Sequence, residues 1–277
     1  MSEKPNVLRL RVLLSLVKED SETCTVTGIA KTLGEEKYTV SRILTGLEKE
    51  GLLDRSDIRH PALTEEGRKV AQVYGEKIRI TMNHLIYEGV DVENAKSDAY
   101  SWALYNTEQT MEVIRKGEEQ YRVKYELRGK HAFSGTELCE KLKDGIYRFP
   151  FIIYREHVRN GSNLSMSNEG FEHPCILQVK NGKGTIQLRA VKMKRKSGVD
   201  GKIMSGRVKS MKYLEEGVFV NAETSGDILS FPASVLNFVN IGEGIGQILH
   251  GSVCLKMTCS VGVIHMPESK AIFTMLI

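Results

Sequence analysis

Several closely spaced side chains in the first fifth of this chain could hydrogen-bond another molecule. They are Lys37, Tyr38, Thr39, Ser41 and Arg42. Short hydroxyls and a forked guanidinium are among the groups that read base edges in the DNA major groove. The chemistry predicted for this segment is therefore recognition of double-stranded DNA, provided that one element presents these groups on a single surface.

The apolar residues between these polar ones predict that element. Val40, Ile43, Leu44 and Leu47 recur at i, i+3, i+4 and i+7, which is the buried stripe of an amphipathic helix. Gly51 follows this stripe and is expected to end the helix in a left-handed conformation. The polar groups would then lie on the exposed face of a recognition helix.

The flanking segments complete a winged helix-turn-helix. A short helix is predicted before the turn, with Thr27 as its N-cap and Gly34 as its terminator. Residues 53–60 can form a wing, and a further helix is expected after Thr64. The wing residues expected to contact phosphate or the minor groove are Arg55, Arg59 and His60. The alternative is a small helical bundle with no role at DNA, which the order of elements disfavours.

Composition bounds the class of protein. The 277 residues carry a net charge of +4 and five cysteines without paired spacing, which favours reduced thiols and a cytoplasmic location. No apolar run is long enough to span a bilayer, so no membrane partner is expected. Residues 1–75 hold twelve basic and twelve acidic side chains, whereas residues 188–212 hold nine basic and one acidic. Any grip on phosphate by the N-terminal region must therefore come from individually placed groups.

Two helices are predicted after the winged helix. The first continues through residues 75–88, and the second runs from about Val92 to Ile114 after a break at Gly89. Trp102 lies among alanines on the second helix, which allows another helix to pack closely. An internal core and a homodimer seam both explain this pattern. The homodimer is preferred because a two-fold operator needs two readers, and its expected seam residues are Leu85, Ala99 and Trp102.

Three segments of residues 5–115 resemble the iron- and manganese-dependent repressors related to the diphtheria toxin repressor. They run from Thr39 to Leu52, from Leu63 to Arg68, and from Gly89 to Trp102 with a gap before Asp98. The winged-helix part is shared by several repressor families, and the third segment favours this one. The resemblance implies a dimeric repressor with a regulatory metal between its helices.

The positions that the resemblance assigns to metal ligands carry other residues here. They are Leu8, Lys77, Lys96, Tyr100, Ala103 and Leu104. Aliphatic side chains offer no lone pair, and lysines bring a charge of the same sign as the metal. We therefore expect no metal at this site and no cofactor. The alternative is a metal-responsive repressor with relocated ligands, for which His84, Glu88 and Glu108 are the candidates.

The second half of the chain is predicted to be β-rich. Eight strand-like runs separated by glycine-containing turns suggest a barrel or a sandwich. The runs are Phe149–Tyr154, Cys175–Val179, Thr185–Val191, Lys202–Val208, Gly217–Ala222, Asp227–Phe231, Ser252–Cys259 and Ala271–Leu276. No signature of a nucleophile with its base is present, so the chain is not expected to be an enzyme. This half is expected to sense an unknown effector or partner.

The sequence therefore predicts an α+β multidomain protein. The expected domains are a winged helix-turn-helix over 1–74, a helical dimerisation domain over 75–127 and a β-rich region over 128–277. The predicted function is a sequence-specific transcriptional regulator of the iron-dependent repressor type that is not metal-activated at the family site. A rival from another class is an enzyme or small-molecule-binding protein that uses the winged helix for protein contacts.

Overall fold

The structure, a computed structural model, describes residues 5–18, 24–159, 161–196, 203–261, 264–265 and 268–277. It divides into two compact units, Met1–Glu118 and Glu119–Ile277, with the boundary inside one helix. The first unit is helical with a two-stranded wing, and the second is built mainly of strands, which confirms the α+β multidomain class. The division of the first 127 residues into two domains stays a prediction.

The first unit contains the elements expected of a winged helix and the helices that follow it. In chain order they are α1 (Pro5–Ser15), α2 (Val26–Leu33), α3 (Lys37–Lys49), β1 (Leu53–Asp54), β2 (Ala62–Leu63), α4 (Glu65–Tyr87), α5 (Val92–Tyr105) and α6 (Glu108–Leu127), the last of which crosses the boundary. Helix α3 coincides with the predicted recognition helix, and β1 pairs with β2 to form the wing. Among the described residues, no helix is both long and apolar enough to cross a membrane.

One apolar cluster holds the winged helix together. Val40, Leu44 and Leu47 of α3 are buried in it with side chains of α1, α2 and the wing strands. Burying a leucine or valine side chain contributes about 1.5–3 kcal/mol relative to exposure. This burial fixes the rotation of α3, so its opposite face is the one that meets solvent.

Helix ends follow the predicted capping chemistry with one exception. The Thr64 hydroxyl accepts the Gly67 amide at 3.0 Å and caps α4, as predicted. Gly51 has φ +75°, as expected of the glycine that follows α3. Thr27 as the N-cap of α2 is wrong. Thr25 accepts the Gly28 amide instead, so the helix begins at Val26, which packs against the core.

The predicted helix from Val92 to Ile114 is two helices. Helix α5 ends at Tyr105, and the extended residue Asn106 (φ −77°, ψ 143°) separates it from α6. The Thr107 hydroxyl then accepts the Thr110 amide at 3.3 Å. Asn and Thr side chains compete for backbone hydrogen bonds and favour helix ends, which explains the break.

The second unit combines one short helix with fifteen described strands. They are β3 (Ala132–Ser134), α7 (Gly135–Lys141), β4 (Gly145–Phe149), β5 (Phe151–Arg159), β6 (Ser162–Leu164), β7 (Cys175–Lys180), β8 (Lys183–Arg189), β9 (Met193–Lys196), β10 (Ile203–Glu215), β11 (Val218–Asn221), β12 (Glu223–Ser225), β13 (Ile228–Pro232), β14 (Asn237–Ile241), β15 (Ile248–Val261), β16 (Ile264–His265) and β17 (Ser269–Leu276). Ser134 caps α7 in a capping box with Glu137, as is typical of a serine three residues before a glutamate.

The strands form two antiparallel sheets that share one core. The larger follows the order β11-β10-β15-β17-β5-β6, with β14, β3, β9 and β16 paired off this path, and the smaller is β12-β13-β8-β7-β4. Phe231 of the smaller sheet contacts Tyr213 and Phe273 of the larger, at 5.8 and 5.6 Å between ring centroids. Two sheets facing across one core correspond to the sandwich alternative.

Each of the eight predicted strand runs overlaps a strand, although Lys202 lies outside the described residues. The eight runs do not include β3, β6, β9, β12, β14 or β16, and they include only Phe149 of β4. In β14, Val239 and Ile241 are exposed while Phe238 is buried, so the strand shows little of the apolar pattern that marks a buried element.

Two glycines of α4 give a test of this packing. A Cβ added at Gly67 would lie 2.0 Å from the carbonyl oxygen of Leu52, whereas one added at Gly75 meets nothing within 4 Å. Gly67→Ala should therefore destabilise the protein by about 1–3 kcal/mol or more. Gly75→Ala should stabilise it by about 0.5–1 kcal/mol. Urea unfolding of both variants measures the difference, and equal stabilities would contradict the contact between the wing base and α4.

Candidate nucleic-acid interface

The exposed face of α3 carries most of the predicted recognition residues. Tyr38 is 70% exposed, and the Arg42 guanidinium lies 5.8 Å from the centroid of its ring, one turn along the helix. Ser41 and Thr45 continue the same face, and the Thr45 hydroxyl donates to the Ser41 carbonyl at 3.1 Å. The ring and the guanidinium are thus exposed together, whereas Ser41 and Thr45 are half-buried and the Thr45 hydroxyl is already bound to Ser41 and Arg55.

The two other predicted residues of α3 lie beside this face. Lys37 is the first residue of the helix and is exposed, whereas Thr39 is half-buried. The N-terminal turn therefore offers an ammonium and a phenol to solvent. Helix N-termini favour anions through their free amides and dipole.

Arg55 of the wing lies against α3. Its guanidinium donates to the Thr45 hydroxyl at 2.8 Å and to Glu48 Oε2 at 3.4 Å, and its side chain is only 11% exposed. Its Nε is buried without a hydrogen-bond partner among the described residues. This geometry ties the wing to the recognition helix and leaves little of the guanidinium free for phosphate.

The tip of the wing carries the other predicted contacts together with acidic groups. Arg59 and His60 are both exposed, and His60 Nδ1 lies 2.9 Å from Asp57 Oδ2. This contact with His60 and the Arg59 amide hold the pKa of Asp57 below its usual value. Hydrogen bonds from Ser56 lower the pKa of Asp54 in the same way. Both carboxylates stay ionised near neutral pH, so they reduce the positive charge that the wing offers to phosphate.

An exposed apolar side chain at the wing tip was not among the predicted contacts. Ile58 is 70% exposed there, between Asp57 and Arg59. No helical or strand periodicity includes this residue, so the only available signal was a large apolar side chain in a polar turn. Apolar side chains of this kind can contact sugars or thymine methyl groups in a groove.

The predicted dimer residues are placed differently from one another. Ala99 is fully buried and Leu85 almost so, because α4 and α5 pack on each other within one chain. Trp102 is half-buried against a small cluster of Ile80, Met111 and Ile114. Of these three residues, only Trp102 has enough exposed surface to contact a partner. Leu85 and Ala99 could affect a dimer interface only indirectly, by supporting the residues in front of them.

The residues at the family's metal positions do not fit a metal ion. Leu8 is buried in the winged-helix cluster, and Tyr100 and Leu104 pack against the same cluster. Ala103 is buried as well, and the Lys77 ammonium binds the carboxylate of Glu108. Within the described residues, no three His, Cys, Asp or Glu side chains converge in a way that could hold a metal. The relocated set of His84, Glu88 and Glu108 therefore has no support from geometry.

The N-terminal fold and its surface define a winged-helix transcriptional regulator. A family model described as the MarR family matches residues 5–61. The transcriptional regulator MntR of Escherichia coli O6:H1 is 32% identical over 106 residues, which are 38% of this chain and 68% of that protein. The chain belongs to the family of MntR, which confirms the resemblance to metal-dependent repressors over its N-terminal part.

Two solved structures match a larger share of the chain at lower similarity. The structure of the manganese regulator SloR has a TM-score of 0.36 and 13% identity, covering 83% of this chain and all of that one. IdeR of T. acidophilum has a TM-score of 0.34 and 15% identity, covering 84% and 99%.

The contact between Arg55 and α3 can be tested in the wing itself. Arg55→Gln removes the charge and the fork that reach Thr45 and Glu48, each hydrogen bond contributing about 1 kcal/mol. Amide exchange at Asp54, Ala62 and Thr64, whose amides face the partner strand, should accelerate roughly fivefold because local opening becomes easier. Arg59→Gln, at an exposed position of the same wing, is the control and should leave these rates unchanged. Equal rates in all three proteins would show that Arg55 does not hold the wing.

Proposed function

We propose that this chain is a repressor-type transcriptional regulator that reads operator DNA with the exposed face of α3. The observation that carries the proposal is that Tyr38, Ser41, Arg42 and Thr45 share a surface opposite a fully buried stripe. A helix of this kind can enter the major groove, where its side chains reach base edges. Lys37 and Arg59 would hold phosphates, and His60 and Ile58 would lie at the edge of the wing contact.

Arg55 has a different role in this proposal from the one its sequence position suggested. It sets the angle between wing and recognition helix through Thr45 and Glu48. Affinity then depends on few free cations, since the first 75 residues carry equal numbers of acidic and basic groups. We therefore expect the logarithm of the affinity to fall only moderately with the logarithm of salt concentration.

The regulator acts as a homodimer, since one winged helix reads only a few base pairs. The helices after the wing supply the seam, with Trp102 as the predicted residue that retains surface. The family's metal positions are filled by aliphatic, aromatic and lysine side chains, so DNA binding does not depend on iron or manganese there.

The β-rich unit is the proposed place of regulation, and the proposal assigns it no catalysis. A cavity of about 140 Å³ lies beside Arg207, Thr224 and Leu229, large enough for only a few atoms. The Arg207 guanidinium already binds Asp227 and the Ala190 carbonyl, at 3.1 Å to the latter. An effector that enters this cavity must therefore compete with Asp227, which favours a small anion over a large apolar ligand.

Arg42→Ala tests the reading face. With an operator selected from random duplexes, the variant should lose about 1–3 kcal/mol of affinity and relax specificity at one base pair. Lys116→Ala, at an exposed position of α6, is the control and should bind as the wild type does. Equal loss on every sequence would show that Arg42 contacts phosphate alone, and no loss would place the recognition surface elsewhere.

The proposed dimer is tested by sedimentation at micromolar concentration. Wild type should sediment as a dimer, and Trp102→Glu should yield monomers because it places an unpaired charge in the seam. Trp102→Phe keeps an apolar ring and should remain dimeric. Circular dichroism separates loss of assembly from loss of fold, and a wild-type monomer would contradict the proposal.

A further inference from the structure

We propose that the ion pair between the Lys77 ammonium and Glu108 keeps α4 positioned against α6 and supports DNA binding in the absence of a regulatory metal. This inference rests on the proposed function, because it explains how a member of a metal-dependent family could bind DNA without the metal. Lys77 is thus assigned a positioning role for DNA binding. Lys77 is in the middle of α4, not on α3, and makes no contact with DNA in this proposal.

The surroundings of Lys77 are unusual for a lysine. Lys77 is in the middle of α4 and is only 9% exposed. It is one of the few charged or polar residues that are buried in the described part of the chain. Its Nζ binds the carboxylate of Glu108, at the first turn of α6, and lies 5.7 Å from the centroid of the Tyr74 ring. The ammonium is therefore held by a carboxylate on one helix and faced by an aromatic ring on its own helix.

Burying the Lys77 ammonium costs desolvation free energy, which an apolar side chain at this position would avoid. A buried ion pair often adds no net stability compared with well-packed apolar side chains, and removing one partner leaves an uncompensated charge. Glu108 is largely exposed, so the ammonium bears most of the desolvation. An apolar residue at position 77 would fill the space without selecting one position of α6. The pair instead specifies which residue of α6 lies beside which turn of α4.

Other contacts continue the same alignment of α4 and α6. Arg79 donates to Glu118 at 2.7 Å, and the Asn83 amide donates to Glu118 at 3.1 Å. Between them, the Thr81 hydroxyl lies 4.0 Å from the Met111 sulfur in the interior. Among these contacts, that of Lys77 involves the most buried charged side chain. It is therefore the contact with the strictest geometric requirement.

The remaining family positions support the same conclusion. Leu8 of α1 and Tyr100 and Leu104 of α5 belong to one apolar cluster, so α1 and α5 are joined by permanent packing. A bound metal ion supplies positive charge and joins helices only while it is bound, since its occupancy depends on its concentration. A lysine supplies its charge at all times. The helices would thus be held in one arrangement irrespective of metal supply.

The experiment compares full-length variants on the selected operator. Lys77→Met removes the charge and keeps the stem, Lys77→Arg keeps the charge, and Glu108→Gln removes the partner. Lys96→Met is the control, because Lys96 also lies at a family metal position but is exposed. Lys77→Met and Glu108→Gln should each weaken DNA binding at least fivefold, and Lys77→Arg should stay within threefold of wild type. The control should be unchanged, and chelator, iron or manganese should alter wild-type affinity less than twofold.

A second readout separates failure of this inference from failure of the proposed function. Amide exchange across residues 77–84 should accelerate in Lys77→Met and not in Lys96→Met, whether or not the protein binds DNA selectively. If wild type selects no operator but the exchange pattern holds, the proposed function fails and the positioning of α4 stands. Wild-type exchange and affinity in Lys77→Met would overturn the inference, as would metal-activated DNA binding by the wild type.

Discussion

Burial of three side chains on one face of α3 is the constraint on which the reading surface depends. Val40, Leu44 and Leu47 have essentially no exposed surface, and truncating a buried leucine to alanine typically costs about 2–5 kcal/mol. A rotation of the helix by one residue would expose them, so only one orientation is accessible. This burial therefore determines which polar side chains lie on the opposite face of the helix.

The electrostatics of the N-terminal unit favour selectivity over general attraction to DNA. Arg55 is occupied by Thr45 and Glu48, and Asp54 and Asp57 add negative charge beside Arg59. A surface with few free cations gains little from phosphates on an arbitrary sequence. Correct base contacts then account for a larger share of the binding free energy.

The sequence allowed the reading element and its neighbours to be predicted because local rules determine them. The 3.6-residue period of α3, the Thr64 cap and Gly51 each act over a few positions, and all appear as expected. The start of α2 at Val26 depended on which of two threonines caps the helix, and the break at Asn106 interrupted a predicted helix whose apolar pattern continues into α6. Sequence patterns alone do not show which of two neighbouring polar residues forms the helix cap.

The roles of Arg55 and Lys77 depended on contacts distant in sequence. The sequence suggested that Arg55 contacts DNA from the wing, but its guanidinium donates a hydrogen bond to Thr45, ten residues earlier. The sequence suggested only that Lys77 replaces a metal ligand, whereas its ammonium binds Glu108, thirty-one residues later. The β-rich half was predictable as a class, since alternating runs mark strands, but not in its pairing. Strand β15, for example, pairs with β10, β14, β16 and β17.

The base of the wing has an evolutionary consequence. The Thr64 amide donates to the Leu52 carbonyl at 3.1 Å and the Thr64 hydroxyl to the Gly51 carbonyl at 2.7 Å, so both ends of the hairpin are fastened beside α3 and α4. Only seven residues connect β1 to β2. Doubling such a loop costs about 0.6 kcal/mol in closure entropy. Descendants of this protein can thus lengthen the wing and reach further along a groove while inheriting the same recognition helix unchanged.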